Sequence, residues 1–144
     1  MVRNLYVYFE TKTTINGRLV HKVVAELKKE LGLKISSLQI NFVNEENIIK
    51  LNKTHLNHNY STDVITLDYS GNAGLIDGEI FISLDDAAYN ARKFKVTLKD
   101  ELLRLIVHGI LHLTGYDDTT SKQKSIMKQK EEYLLTLMKS KTDK

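Results

Sequence analysis

The spacing of apolar residues changes along the chain, and each change marks a predicted element. Residues 4–9 combine tyrosine, valine and phenylalanine, a composition typical of a β-strand. From Asn16 to Gly32 the apolar positions follow the helical period of about 3.6 residues, which predicts an amphipathic helix that ends at the glycine. Its buried stripe is expected to consist of Leu19, Val20, Val23, Val24, Leu27 and Leu31.

The middle of the chain alternates strand patterns with helix patterns. Apolar and polar residues alternate over residues 38–42, which predicts a strand with one face on the core. Asn44 is placed to cap a short helix after that strand. Two further strands are predicted over residues 65–69 and 80–84, with a glycine-rich turn between them.

Three more helices are predicted in the C-terminal half. Asp85 or Asp86 is expected to cap the first, and the second, over residues 98–113, is apolar on nearly all sides and should be central. The last, over residues 121–138, has an expected buried stripe of Ile126, Met127, Tyr133, Leu134, Leu137 and Met138. These elements predict one α+β domain over residues 1–144, in which helices pack on a mixed sheet of about four strands.

The central helix carries the residues with the clearest chemistry. His108 and His112 are four positions apart, so their side chains leave the same helix face with Cβ atoms roughly 5–6 Å apart. Gly115 is placed to end this helix and to let the chain reverse. An oxygen of Asp118, or of its neighbour Asp117, could then complete a three-ligand metal site with an open position, as catalytic zinc sites have.

Composition narrows the chemistry of such a site. The chain has no cysteine, so a metal must be held by histidine and carboxylate, and thiolate sites are excluded. Gly109 stands where zinc peptidases with an H-E-x-x-H motif have their catalytic glutamate, which disfavours peptidase activity. A glycine inside a helix also indicates close approach of another group, or tight packing against a strand.

Charge and hydropathy restrict partners and location only coarsely. The net charge of +3, from 21 Lys and Arg against 18 Asp and Glu, is too small to identify a nucleic-acid-binding protein. A run of basic residues comprises Arg92, Lys93, Lys95, Lys99 and Arg104. It is interpreted either as a strip that contacts phosphates or as a solvent-exposed helix face. We expect no membrane association and a cytoplasmic location, because the chain lacks a long apolar run and a signal peptide pattern. His21, His55 and His58 are interpreted as solvated side chains.

Four motifs occur in the order and spacing of a known family. The chain resembles the YbeY-type rRNA maturation factors, zinc-dependent endoribonucleases that act on ribosomal RNA. The matching residues are Leu51-Asn52, Thr62-Asp63-Val64, Gly78-Glu79-Ile80 and His108-Gly109-Ile110-Leu111-His112-Leu113-Thr114-Gly115-Tyr116-Asp117.

The resemblance implies an endoribonuclease that takes part in small-subunit rRNA maturation and ribosome biogenesis. It implies one Zn²⁺ per chain, or another divalent ion, held by His108, His112 and Asp118, which would act catalytically through the metal. Asp63 and Glu79 are implied to line the cleft or to orient a ligand. The expected partner is ribosomal RNA or a ribosomal subunit.

Two positions depart from the family pattern. Asp118 stands where the family has a third histidine, and a carboxylate remains a competent zinc ligand. Leu56 stands where the family has an arginine, so a cation suited to phosphate is missing there. Arg92, Lys93 and Arg104 are the candidates for contact with RNA. Two alternatives stay open: a non-catalytic ribosome assembly or RNA-binding factor with a structural metal, and a metal-dependent hydrolase of a non-RNA substrate.

Overall fold

A computed structural model describes residues 1–56, 62–72 and 74–142. Along the chain the elements are β1 (Leu5–Phe9), α1 (Gly17–Leu31), β2 (Lys34–Val43), α2 (Glu45–Leu56), β3 (Val64–Asp68), β4 (Leu75–Ser83), α3 (Leu84–Phe94), α4 (Leu98–Leu113) and α5 (Ser121–Thr142). In this described part of the chain, no helix combines the length and the apolar character that a membrane crossing needs.

One mixed sheet organises these elements, as the sequence predicts. The strand order is β1-β2-β4-β3. The β1–β2 and β2–β4 pairs are parallel, whereas β3 runs antiparallel to β4. The prediction of an α+β domain with a four-stranded mixed sheet is therefore confirmed.

The two faces of the sheet have different roles. Leu38, Ile40 and Ile80 lie on a fully buried face, and the Ile80 side chain reaches the backbone of α4 at Gly109. Side chains alternate between faces along a strand, so Glu79 points away from α4. The register pairs Glu79 with Gln39, and Gln39 with Tyr6, on that opposite face.

Helix α4 lies at the centre of the molecule. Leu102, Leu103, Ile106 and Leu111 have no exposed surface, which confirms the burial predicted from a helix that is apolar nearly all round. The glycine inside it is explained by packing against a strand, because a Cβ at Gly109 would lie 2.9 Å from Ile80 Cδ1. This contact sets how closely α4, and the histidines on it, approach the sheet.

The start of α3 differs from the prediction. Ser83 caps this helix, and its hydroxyl accepts a hydrogen bond of 3.1 Å from the backbone N–H of Asp86. The prediction that Asp85 or Asp86 is the cap is wrong because β4 ends at Ser83 and the helix begins directly at Leu84. Both aspartates then lie in the first turn, where a negative charge favours the helix dipole.

The buried stripe of α5 also differs from the prediction. Met127, Leu134 and Met138 are buried, but Ile126 and Tyr133 are 46% and 54% exposed. The buried positions follow a spacing of 127, 131, 134 and 138, so the residue that completes the stripe is Glu131. The prediction placed apolar residues on this face by type alone and therefore missed a buried carboxylate.

The contact between Gly109 and Ile80 makes a testable prediction about stability. Gly109→Ala should lower the free energy of unfolding by about 1–2 kcal/mol, because overpacking against Ile80 outweighs the helix propensity of alanine. Adding Ile80→Val removes the nearest methyl group, so the double variant should be more stable than the sum of the single effects by about 1 kcal/mol. Urea denaturation in the presence of EDTA measures both effects.

Gly17→Ala is the matched control, because a Cβ there has no neighbour within 4 Å. It should leave stability unchanged or raise it by up to about 1 kcal/mol. Additive effects of Gly109→Ala and Ile80→Val would contradict the proposed contact.

Candidate metal centre

The end of α4 turns the chain back toward the histidines. Gly115 has a φ of 104°, a left-handed conformation that favours glycine. The N–H of Gly115 donates to the carbonyl of His112, and the N–H of Tyr116 donates to that of Leu111, both at 3.1 Å. This pair of bonds is a Schellman motif, which satisfies carbonyls at the helix end and reverses the chain. The reversal brings Asp118 beside His108 and His112.

The three side chains converge in a geometry that fits a metal ion. Asp118 Oδ2 lies 3.4 Å from His112 Nε2 and 3.7 Å from His108 Nε2. Three ligand atoms at tetrahedral angles, each about 2.1 Å from a zinc ion, lie about 3.4 Å apart. The side chains of His108, His112 and Asp118 are 16%, 25% and 41% exposed, so the cluster is partly buried yet accessible. These three residues could hold one divalent ion.

Asp118, and not Asp117, is the carboxylate that reaches the histidines. Thr120 Oγ1 accepts from the N–H of Gln123 at 3.1 Å, and Gln123 Oε1 accepts from the N–H of Thr120 at 3.0 Å. This reciprocal capping box begins α5 without a contribution from Asp118. Asp117 is exposed, and its Oδ1 accepts from the N–H of Asp118 at 2.8 Å. Asp118 is therefore the stronger candidate for the third ligand of the two that the sequence left open.

Glu131 on α5 orients the ring of His108. Its Oε1 lies 3.1 Å from His108 Nδ1, and the residue is 8% exposed. A carboxylate is a hydrogen-bond acceptor, so this contact favours the tautomer with the proton on Nδ1 and leaves Nε2 free to bind a metal. Sequence reasoning missed this residue. The available signal was a glutamate at a position that the period of Met127, Leu134 and Met138 assigns to the core.

A network of polar groups extends from Glu131; Glu101 in it is buried, whereas the side chains of Arg104 and Asp63 are 33% and 32% exposed. Arg104 Nη1 donates to Glu131 at 3.2 Å, and Arg104 Nη2 and Nε donate to Glu101 at 2.7 and 2.8 Å. Asn90 donates to both Glu101 and Asp63 at 3.1 Å. The hydrogen bonds to Glu101 raise the pKa of the Arg104 guanidinium, although burial acts in the opposite direction. A chain of hydrogen bonds therefore connects Asp63 to His108 through four intervening side chains.

The other residues proposed for the site lie in different surroundings. Glu79 accepts a hydrogen bond of 2.9 Å from Tyr69 on the sheet face away from α4. Glu79 is not part of the lining of the groove described below, and its role at the site stays a prediction from the motif. Arg104 lies between two carboxylates of the protein, whereas Arg92 and Lys93 are exposed. The structure brings Asp63 to within 3.7 Å of Arg104.

The structure also describes two of the histidines outside the cluster, His21 and His55. His55 is exposed on α2, as expected of a solvated side chain. His21 is less solvated than expected, because its Nδ1 accepts from the N–H of Val2 at 3.2 Å and its burial lowers its pKa. His58 and the side chain of Leu56 lie outside the described residues.

The candidate metal centre opens into a groove between α4 and α5. The groove has a volume of about 440 Å³, and its lining includes His108, Asp118, Phe94, Lys124 and Lys128. Its walls thus combine an apolar aromatic ring, two cations and two of the three candidate ligands. A substrate lying in this groove would be in contact with the metal centre.

The sequence and the fold are similar to those of known proteins. The model of the family described as "Endoribonuclease YbeY" matches residues 6–139. The chain is 46% identical to "Endoribonuclease YbeY" of Cytophaga hutchinsonii over 78% of both chains. It is 39% identical to the protein of the same description from Chlorobaculum tepidum, over 91% of this chain and 95% of that one. The solution structure of TM1509 from Thermotoga maritima superposes with a TM-score of 0.69 at 27% identity, covering 95% of this chain and 90% of that one.

The contact between Glu131 and His108 makes a prediction about metal affinity. Glu131→Gln should weaken zinc binding about 10- to 100-fold, because the amide is a poorer acceptor for the His108 Nδ1 proton. Competition with a chromophoric chelator measures the dissociation constant. Glu132→Gln on the adjacent, exposed position is the matched control and should change zinc affinity less than about twofold. Equal effects of the two substitutions would show that Glu131 does not act through His108.

Proposed function

Because the chain belongs to the endoribonuclease YbeY family, we propose that it is a metal-dependent endoribonuclease that cleaves ribosomal RNA during maturation of the small subunit. The observation that supports this most directly is the convergence of His108, His112 and Asp118, with ligand atoms within 4.8 Å of one another, beside an open groove. The two relatives described above are named endoribonucleases, which supports RNA as the substrate class.

The donor set favours zinc as the ion. Two imidazole nitrogens and one carboxylate oxygen are ligands that Zn²⁺ accepts in a tetrahedral site, and three protein ligands leave one position open. When bound, such an ion polarises a phosphoryl oxygen and activates water for hydrolysis near neutral pH. The 41% exposure of Asp118 favours a catalytic site over a closed structural one, because solvent and substrate can reach it.

The protein side chains have distinct tasks in this proposal. His108 and His112 present Nε2 atoms from a rigid helix, and Glu131 holds the ring of His108 in its orientation. Arg104 acts as a positioning residue, because its guanidinium bridges Glu131 and Glu101.

The substrate contacts come from other groups. Exposed Arg92 and Lys93 at the end of α3 are suited to contact RNA phosphates. Asp63 is a positioning residue in this proposal. Its Oδ2 accepts a hydrogen bond from the Asn90 amide and lies 3.7 Å from Arg104 Nη2, so it helps to hold the guanidinium of Arg104 in place. The partner proposed for this surface is ribosomal RNA, free or in a ribosomal subunit, in the cytoplasm.

Removal of a metal ligand tests the catalytic proposal. His112→Ala and Asp118→Asn should each lower zinc content after gel filtration and reduce cleavage of small-subunit rRNA fragments by more than about 100-fold. A 100-fold reduction corresponds to the loss of about 2.7 kcal/mol of transition-state stabilisation that the ion would supply. Elemental analysis and gel-based cleavage assays on the same preparations measure both quantities.

His21→Ala is the matched control, because it removes a histidine that contacts the N-terminal segment instead of the cluster. It should retain the zinc content and the cleavage rate of the wild type. Undiminished cleavage by His112→Ala would indicate a contaminating nuclease and would favour a ribosome assembly factor with a structural metal. Zinc binding without RNA cleavage, but with turnover of another phosphodiester, would favour a different substrate.

A further inference from the structure

An exposed basic segment with an aromatic centre follows the end of α3. All five residues from Arg92 to Val96 are exposed, and the Phe94 side chain is 58% exposed. Lys95 adopts a left-handed conformation with φ of 57°, which costs a non-glycine residue about 1 kcal/mol or more. This turn ends α3 directly after Phe94 and leaves the ring at the surface.

Phe94 faces the groove that begins at the metal centre. It shares the lining with His108 and Asp118, and with Lys124 and Lys128 from the first turns of α5. Those two lysines are four positions apart and therefore lie on the same side of their helix. An aromatic ring on one wall and two cations on the other thus border the approach to the candidate ligands.

We propose that Phe94, Lys124 and Lys128 position the RNA strand in this groove, with one base stacked on Phe94 and the adjoining phosphates held by the two lysines. The proposal rests on the proposed function, since it names the site that delivers an RNA strand to the metal centre. Proteins that bind single strands combine stacking on aromatic side chains with cations along the backbone. Neither the ring nor the α5 lysines follow from the family motifs, which lie elsewhere in the chain.

The charges in the groove are compatible with a polyanion. Asp118 and Glu131 both line it. Glu131 is paired with Arg104 and His108, and a divalent ion would neutralise Asp118. Glu132 is the remaining acidic side chain of the lining, against Lys124 and Lys128. Lys93 adds a further cation, with its ammonium 5.5 Å from the centre of the Phe94 ring.

A single strand suits this site better than a duplex. In a double helix the faces of the bases are covered by their neighbours, so a protein ring reaches them only in loops, bulges and ends. The Phe94 ring is mostly exposed and lies beside the groove, where an unstacked base can cover it.

Replacement of the ring tests the stacking contact. The dissociation constant of an eight-nucleotide, fluorescein-labelled single-stranded RNA is measured by anisotropy at 4 °C with zinc-loaded full-length protein. Probe integrity is checked on a gel. Phe94→Ala should raise the dissociation constant at least about fivefold, because each stacked base contributes about 1–3 kcal/mol. Phe94→Trp should retain the wild-type affinity.

Tyr89 provides a matched control for the ring. It lies on the same helix and has the same 58% exposure, but it is not part of the groove lining. Tyr89→Ala should change the dissociation constant less than about twofold, and thermal melting should confirm that both variants fold. Equal affinities of Phe94→Ala and the wild type, or no RNA binding by the wild type, would overturn the proposal.

The α5 lysines are tested through the salt dependence of binding. For a single strand, each lost phosphate contact should reduce the slope of log affinity against log salt by about 0.7, so the Lys124→Ala/Lys128→Ala variant should lose about 1.4. Lys141→Ala on the same helix is the control for the loss of a lysine charge far from the groove. Its slope should equal that of the wild type, and an equal slope in the double variant would contradict the assigned contacts.

The outcomes separate this inference from the proposed function. Metal-dependent cleavage by the wild type together with unchanged RNA affinity of Phe94→Ala would refute the groove and leave the endoribonuclease proposal intact. Weakened RNA binding of Phe94→Ala in a protein that binds zinc but cleaves no RNA would refute the catalytic proposal and support the groove.

Discussion

The polar side chains on one side of α4 are partly or fully buried, so they need hydrogen-bonding or charged partners within the protein. This requirement organises the site. Glu101, Arg104, His108 and His112 lie along one side of a helix whose other sides are buried among apolar residues. An unpaired charge in such a place costs several kcal/mol. Each of these groups therefore has a partner. Arg104 joins Glu101 to Glu131, His108 bonds to Glu131, and His112 Nε2 lies 3.4 Å from Asp118 Oδ2.

The main consequence of this pairing is that α5 is held in one position against α4. Glu131 accepts from Arg104 and His108, and near the end of the helix Lys139 lies 3.2 Å from Asp100. Buried ion pairs are weak evidence for stability, but they penalise any register that leaves one partner alone. A shift of α5 by one turn would bury Glu131 unpaired and release the ring of His108. The network thus couples the packing of two helices to the geometry of a candidate ligand.

The candidate metal centre combines ligands of different rigidity. His108 and His112 lie on a helix that Gly109 allows to approach Ile80 closely, so their backbone positions are well defined. Asp118 comes from the turn between α4 and α5, where the Schellman motif at one end and the capping box at the other constrain the chain. A short connection with both ends tied in this way can present a third ligand and still leave it exposed to the groove.

Local sequence patterns were sufficient to predict much of the fold and the two histidines of the candidate site. Asn44, which the sequence predicts to be a cap, accepts a backbone hydrogen bond of 3.0 Å from the N–H of Asn47. The spacing of His108 and His112 and the stop at Gly115 also depend only on neighbouring residues. Such features are predictable because helix geometry relates positions three or four apart, whatever the rest of the chain does.

Tertiary structure decided the features that join distant segments. In the folded chain Asp118, and not Asp117, lies beside the histidines, and Glu79 lies on the sheet face away from α4. Arg104 lies between Glu101 and Glu131. Tertiary structure also made Glu131 the partner of His108, although 23 positions separate them. Periodicity tells which positions of a helix are buried, but which polar group meets which follows from how the helices pack. The two histidines could thus be predicted from the chain alone, whereas the choice of carboxylate, the orientation of the rings and the groove beside them arise only when α3, α4 and α5 pack together.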